Sequence, residues 1–241
     1  MNYFIVFVLI SFLILIHELG HFMAAKLSNI PVERFSIGFG PKLWAFGKGQ
    51  TEYRFSVFPI GGYVLPKIEN EDDFFLLPAR RRIIFALGGP LANILLAWMC
   101  LSLLNATTMG FSLYAILVYP FVQIGEISSQ ILYALPQMFS RPEQLSGIIG
   151  IIAIGGRVLM GDFSKIFGLA AMLNINLALL NLLPVLPLDG GKILFCCLEK
   201  IHCSLAKLRL PLMVTGWVLL LGLILSITVM DVCKLVLTTH A

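Results

Sequence analysis

From Tyr3 to Leu27 the chain is one apolar run, interrupted toward its far end by His17, Glu18 and His21. No other feature limits the fold as tightly. An α-helix rises 1.5 Å per residue, so about 20 apolar residues cross a hydrocarbon core about 30 Å thick. Lipid offers the backbone no hydrogen-bond partners, so a lone spanning segment must be helical. The run has no basic stretch ahead of it and no small-residue cleavage site behind it. It is therefore expected to be a retained span rather than a removable signal.

Composition extends the same argument to the rest of the chain. Of 241 residues, 59% are hydrophobic and only 12% charged, where soluble domains run to about 25% charged. Lipid, not water, is the expected solvent. The formal charge of +4 is modest, so nucleic acid is not an expected partner, whereas the bilayer is. Four segments read as spans: Tyr3 to Leu27, Ile83 to Leu104, Ile166 to Leu183 and Leu210 to Met230. Phe111 to Gly125 and Leu145 to Met160 are shorter or interrupted, and segments of that length read as interfacial or re-entrant. The expected fold class is thus an all-α polytopic membrane protein of about four transmembrane helices, residues 1–241 forming a single domain.

Basic residues orient these spans. The connection from Lys26 to Arg82 holds nine Lys and Arg, and that from Lys192 to Arg209 holds four. The connection from Asn105 to Lys165 holds three, and the C-terminal tail one. The positive-inside rule then places the first and third connections in the cytoplasm and both termini outside it, in a multi-pass arrangement. Arg80, Arg81 and Arg82 read as headgroup anchors of the second span, and Asp231 as the end of the last. Five cysteines (Cys100, Cys196, Cys197, Cys203 and Cys233) show no disulfide spacing. Cys196, Cys197 and Cys203 near His202 read as filler rather than a second metal site, and His202 and His240 as solvent-exposed.

Between the first two spans lies a β-hairpin signal. Phe35 to Phe46 and Thr51 to Val64 are rich in aromatic and β-branched residues, with a four-residue turn, Gly47-Lys48-Gly49-Gln50, between them. So apolar a hairpin is expected to associate with the membrane where other helices shield its edges. It is either a docking edge for substrate or a plain packing element.

The chemistry sits in His17-Glu18-Leu19-Gly20-His21. Helical residues four apart point the same way, so both imidazoles can ligate one metal ion. Glu18 follows the first histidine, where a carboxylate can polarise water and shuttle its proton. Counted along the helix, His17 lies roughly 20 Å from Tyr3, deep in the hydrocarbon core. Polar side chains there are costly, and gluing helices together would need only one of them. A catalytic zinc site takes three protein ligands. The best third candidate is Asp189, after Pro184 and Pro187 break the third span and before Gly190-Gly191, which let the backbone turn. The competing role for Asp189 is an ordinary helix N-cap. Asn93 and Asn176 read as interhelical hydrogen-bonding residues.

His17-Glu18-x-x-His21 together with Asn181-x-x-Pro184 and Leu188-Asp189-Gly190 resembles the site-2 proteases, the intramembrane zinc metalloproteases. Gly38 to Pro41 and Pro59 to Val64 look like that family's re-entrant hairpin, and Arg82 through Gly89-Pro90-Leu91-Ala92-Asn93 like the start of its second span. Leu145-Ser146-Gly147-x-x-Gly150-Ile151 is similar to the stretch before its third core span. The resemblance covers nearly the whole chain and is closest to the bacterial branch that cleaves anti-sigma factors and signal-peptide remnants. It implies one Zn²⁺ per chain held by His17, His21 and Asp189, with Glu18 as general base. It further implies substrate or oxyanion contacts from Asn181, Gly61 and Gly62, single-span membrane proteins as substrates, and a place in the bacterial inner membrane. The Asn105 to Lys165 connection is too short for the PDZ domain that members commonly carry, and Lys192 stands where the family often has histidine. Pro187 sits one position later than the family's usual spacing. The alternatives are a zinc transporter, with the same residues as a transit site, and an inactive pseudoprotease. No serine-protease motif such as Gly-x-Ser-x-Gly occurs.

Overall fold

A computed structural model describes residues 1–67, 74, 76–140, 146–160, 164–201 and 208–239. His202, Cys203, His240 and Leu145 lie outside the described residues. The elements, in chain order, are α1 (Asn2–Leu27), β1 (Val32–Lys48), β2 (Thr51–Pro66) and α2 (Ala79–Thr108). A π-helical turn (Tyr114–Val118) then leads into α3 (Tyr119–Ser140). They are followed by α4 (Ile148–Val158), α5 (Lys165–Asn181), α6 (Asp189–Ile201) and α7 (Arg209–Thr239).

Among the described residues, four helices are long and apolar enough to cross a membrane: Asn2–Leu27, Ala79–Thr108, Tyr114–Pro136 and Arg209–Lys234. Three are expected spans. The other is a correction: Tyr114–Pro136 contains most of the stretch read as interfacial, extended past Gly125 into residues whose Gln130 and Ser129 mask the apolar pattern. The segment expected at Ile166 to Leu183 is helical over Lys165–Asn181, 17 residues, and ends before Pro184 removes a backbone donor.

The chain forms two compact units, one of residues 1–9, 97–176 and 211–241, the other of residues 10–96 and 177–210. In the first, Asp231 does not end the last helix. It is buried inside α7, and its Oδ2 accepts the N–H groups of Gly147 and Gly150 at 2.9 and 2.8 Å. It thereby caps the start of α4, where N–H groups lack helical partners.

The second unit is built around the hairpin and α1. The turn is tighter than expected: only Gly49 and Gln50 leave the ladder, because Gly47 pairs with Glu52 and Lys48 with Thr51. Gly49 supplies a φ of +68°. The pairing is also richer than a simple hairpin. Arg34 to Ile37 face Glu52 to Phe55 in one register, where both numbers rise together, and Gly62 to Leu65 in another. Positive φ values at Gly38, Gly40 and Gly61 bend the strands so that they fold back. Phe22, Ala25, Ile30, Val32, Phe35 and Phe85 form the core beneath, with Tyr53 and Val64 packed on it. Leu43, Trp44, Phe46 and Phe58 at the far end stay exposed. At the base, Arg34 Nε donates to Glu52 Oε2 at 2.7 Å, and that bond holds the Glu52 carboxyl below its ordinary range.

Candidate metal centre

α1 and α2 meet where neither has a side chain to hold them apart. A Cβ on Gly88 would lie 2.6 Å from Ala24 Cβ, and one on Gly20 would lie 2.6 Å from Ala92 Cβ. Each would also run into the other glycine's carbonyl. This backbone contact fixes what faces the two histidines. Phe85, Gly89 and Asn93 recur at four-residue spacing, so they line one side of α2. The Phe85 carbonyl lies 2.8 Å from His21 Nδ1, and the Asn93 amide 3.0 Å from His17 Nδ1.

The third donor arrives from the break after α5. Leu182 to Leu188 form a turn, with a cis Leu186–Pro187 peptide, and Asp189 opens α6. The roles of Gly190 and Gly191 differ from expectation. Neither has a positive φ; both are helical, and what they provide is room. A Cβ on Gly191 would sit 2.5 Å from the Val185 carbonyl oxygen, and one on Gly190 would sit 2.5 Å from that of Leu183. The turn therefore folds directly against the first residues of α6. Asp189 Oδ2 comes within 3.2 Å of His17 Nε2 and 3.1 Å of His21 Nε2, and the two Nε2 atoms are 3.1 Å apart. All three side chains are buried. Asp189 Oδ1 accepts from Lys192 Nζ at 2.9 Å, so the carboxylate is engaged on both oxygens and is more than a helix cap.

This triangle fits a zinc ion. Ligand bonds of about 2.0 Å in a tetrahedral site put neighbouring donors about 3.3 Å apart, close to the three separations found. The space beside them is also reserved. A Cβ on Gly89 would fall 2.5 Å from His21 Nε2 and 2.6 Å from His17 Nε2, where a methyl group and an ion would compete.

Glu18 lies one residue along α1, and a Cβ on Gly62 would sit 3.1 Å from its Cγ. The sheet thus packs directly against the stem of the Glu18 side chain. Gly61 is placed differently: a Cβ there would meet the Phe39 ring. The Asn181 amide donates to the Leu177 carbonyl of its own helix at 3.0 Å rather than joining the three donors. Arg82, expected at the headgroups, is buried and pairs with Glu199 of α6 at 2.8 Å, while Arg80 and Arg81 are exposed. The contributions of Gly89 and the Phe85 carbonyl were not anticipated. The four-residue spacing to Asn93 puts them on one helix face, but only the approach of α1 gives that face its role.

An HExxH turn joined by a remote carboxylate defines a metallopeptidase type of centre. The sequence profile described as Peptidase family M50 matches residues 4–225, and the chain belongs to that family. A Fusobacterium nucleatum protein provisionally named a zinc metalloprotease is 26% identical over 337 residues, covering 98% of this chain and 99% of the relative. A similarly named protein of Nostoc sp. is 26% identical over 343 residues, with 94% of each chain covered. One from Clostridium perfringens is 45% identical over 101 residues, 39% of this chain and 30% of the relative. The first two alignments are longer than this chain's 241 residues, so those relatives carry insertions without a counterpart here.

Proposed function

We propose that this protein is an intramembrane zinc endopeptidase of the site-2 protease type, acting on single-span membrane proteins or signal-peptide remnants in the bacterial inner membrane. The observation that carries the reading is the triangle of His17, His21 and Asp189, sized for zinc and kept open by Gly89, with Glu18 beside it. These residues sit in or against helices apolar enough for lipid.

Bound there, zinc would supply Lewis acidity toward a peptide carbonyl and toward water. Glu18 takes a proton from the water that attacks the carbonyl carbon. As the C–N bond breaks, it returns that proton to the departing amine. A substrate helix must first be drawn out into extended form. Gly62 to Leu65 pair with β1 on one side in the register. Their other edge can take a substrate strand by β-augmentation near Glu18, whose side chain packs against Gly62. Transport would give Glu18 no such task, which favours hydrolysis over a metal-transit role.

The test is Glu18→Gln in detergent-purified protein, with a tagged single-span substrate carrying helix-breaking residues. Stoichiometric zinc in both forms, with cleavage only in the wild type, is expected. Cleavage by the glutamine variant at the wild-type rate would remove Glu18 as the base.

A further inference from the structure

We infer that Asn93 is a positioning residue for His17, an outer partner that fixes the imidazole with Nε2 facing the metal. The inference rests on the metal-binding reading above.

The argument starts from hydrogen-bond inventory. A neutral imidazole has one N–H donor and one lone-pair acceptor. His17 Nε2 points at Asp189 Oδ2 and His21 Nε2, so it is the nitrogen that must keep its lone pair for an ion. Nδ1 then carries the hydrogen and needs an acceptor. Asn93, fully buried, is the side chain that meets it, at 3.0 Å. The nitrogen of the amide is placed against Nδ1, and Oδ1 has no partner among the described residues. The two ends of an amide are interchangeable by a half-turn. That half-turn puts the acceptor oxygen on Nδ1–H and gives Oδ1 the partner it lacks.

His21 meets the same requirement by other means, with its Nδ1 at 2.8 Å from the Phe85 carbonyl. Both histidines of α1 are thus gripped from one face of α2, one by backbone and one by side chain. Two other asparagines show what a merely structural amide does here: Asn174 and Asn181 return their N–H groups to Ala170 and Leu177 of their own helix. Asn93 instead spends its amide on a ligand.

The experiment measures zinc affinity by chelator competition on the full chain in detergent, for wild type, Asn93→Leu and Asn93→Asp. Loss of an outer partner weakens metal affinity about 10- to 100-fold, and that loss is expected for the leucine variant. The aspartate variant keeps an acceptor and is expected to stay within about threefold of wild type. Thermal unfolding of the metal-free forms separates a folding defect from weakened binding. Wild-type affinity in Asn93→Leu, or equal loss in both variants, would overturn the inference. Should the leucine variant fail to fold, Asn93→Ala takes its place in the same titration: a loss of about tenfold or more supports the assignment, and wild-type affinity overturns it. A wild type that binds no zinc would instead sink the underlying metal reading.

Discussion

Asp189 Oδ2 stands 3.2 Å from His17 Nε2, closing a donor set that joins the first helix to the turn after the fifth. An amide oxygen in that place is neutral and a poorer ligand than a carboxylate. Asp189→Asn should therefore weaken zinc binding by about tenfold or more. Chelator competition on the purified chain measures it. Undiminished affinity would remove Asp189 from the ligand set and leave it as a helix cap bonded to Lys192.

Gly89 gives a prediction in which two effects have opposite signs. In a helix interior, Gly→Ala favours folding by up to about 1 kcal/mol. At this position, however, the new methyl would stand 2.5 Å from His21 Nε2 and 2.6 Å from His17 Nε2. Gly89→Ala is expected to lower the thermal stability of the metal-free protein, because both buried imidazoles must shift and the overlap outweighs the helix gain, while zinc content falls to near nothing. Elemental analysis and an unfolding curve on one preparation check both halves. Stoichiometric zinc in the variant would show that the ion lies elsewhere.

The Arg82–Glu199 pair ties α2 to the helix that Asp189 opens, at 2.8 Å and with little exposure of either side chain. Removing one member of a buried pair strands the other charge, at a cost of about 3–5 kcal/mol. Glu199 is 16% exposed, which places the expected loss for Arg82→Met at the lower end of that range. The measurement is unfolding in a denaturing-detergent titration. An unchanged midpoint would make Arg82 the headgroup anchor that its sequence position implied.

What could be read from the sequence follows from how locally each feature is encoded. His17 and His21 need only the helical period, and Asp189 needs only Pro184, Pro187 and the paired glycines to mark a break. Gly89 could not be read that way, because its role depends on Gly20 and Gly88 bringing two helices into backbone contact, a property of the pair. The second pairing partner of Arg34 to Ile37 was hidden for a related reason. It arises from bends at Gly38, Gly40 and Gly61, and glycine alone does not announce the sign of its φ. The helix through Tyr114–Pro136 was missed because Gln123, Glu126 and Gln130 dilute an otherwise apolar run.

That missed helix begins with an irregularity that its neighbour satisfies. In the π-helical turn the Tyr119 N–H reaches back to the Tyr114 carbonyl, leaving intervening carbonyls open to other donors. Three side chains of α2 supply them. Asn105 Nδ2 donates to Ala115 O at 3.0 Å, Ser102 Oγ to Ile116 O at 2.7 Å and Trp98 Nε1 to Leu117 O at 3.3 Å. Asn105 also donates to Gln123 Oε1 at 2.8 Å and is buried, whereas the Trp98 bond is long and exposed. Side-chain hydrogen bonds inside membranes average about 0.6 kcal/mol and reach about 1.7. Asn105→Leu, which removes two bonds, should cost about 1–2 kcal/mol, Ser102→Ala about half as much, and Trp98→Phe less than either. Unfolding midpoints of the three variants give the order directly. If Trp98→Phe were the most damaging, packing of the indole rather than carbonyl satisfaction would hold this turn.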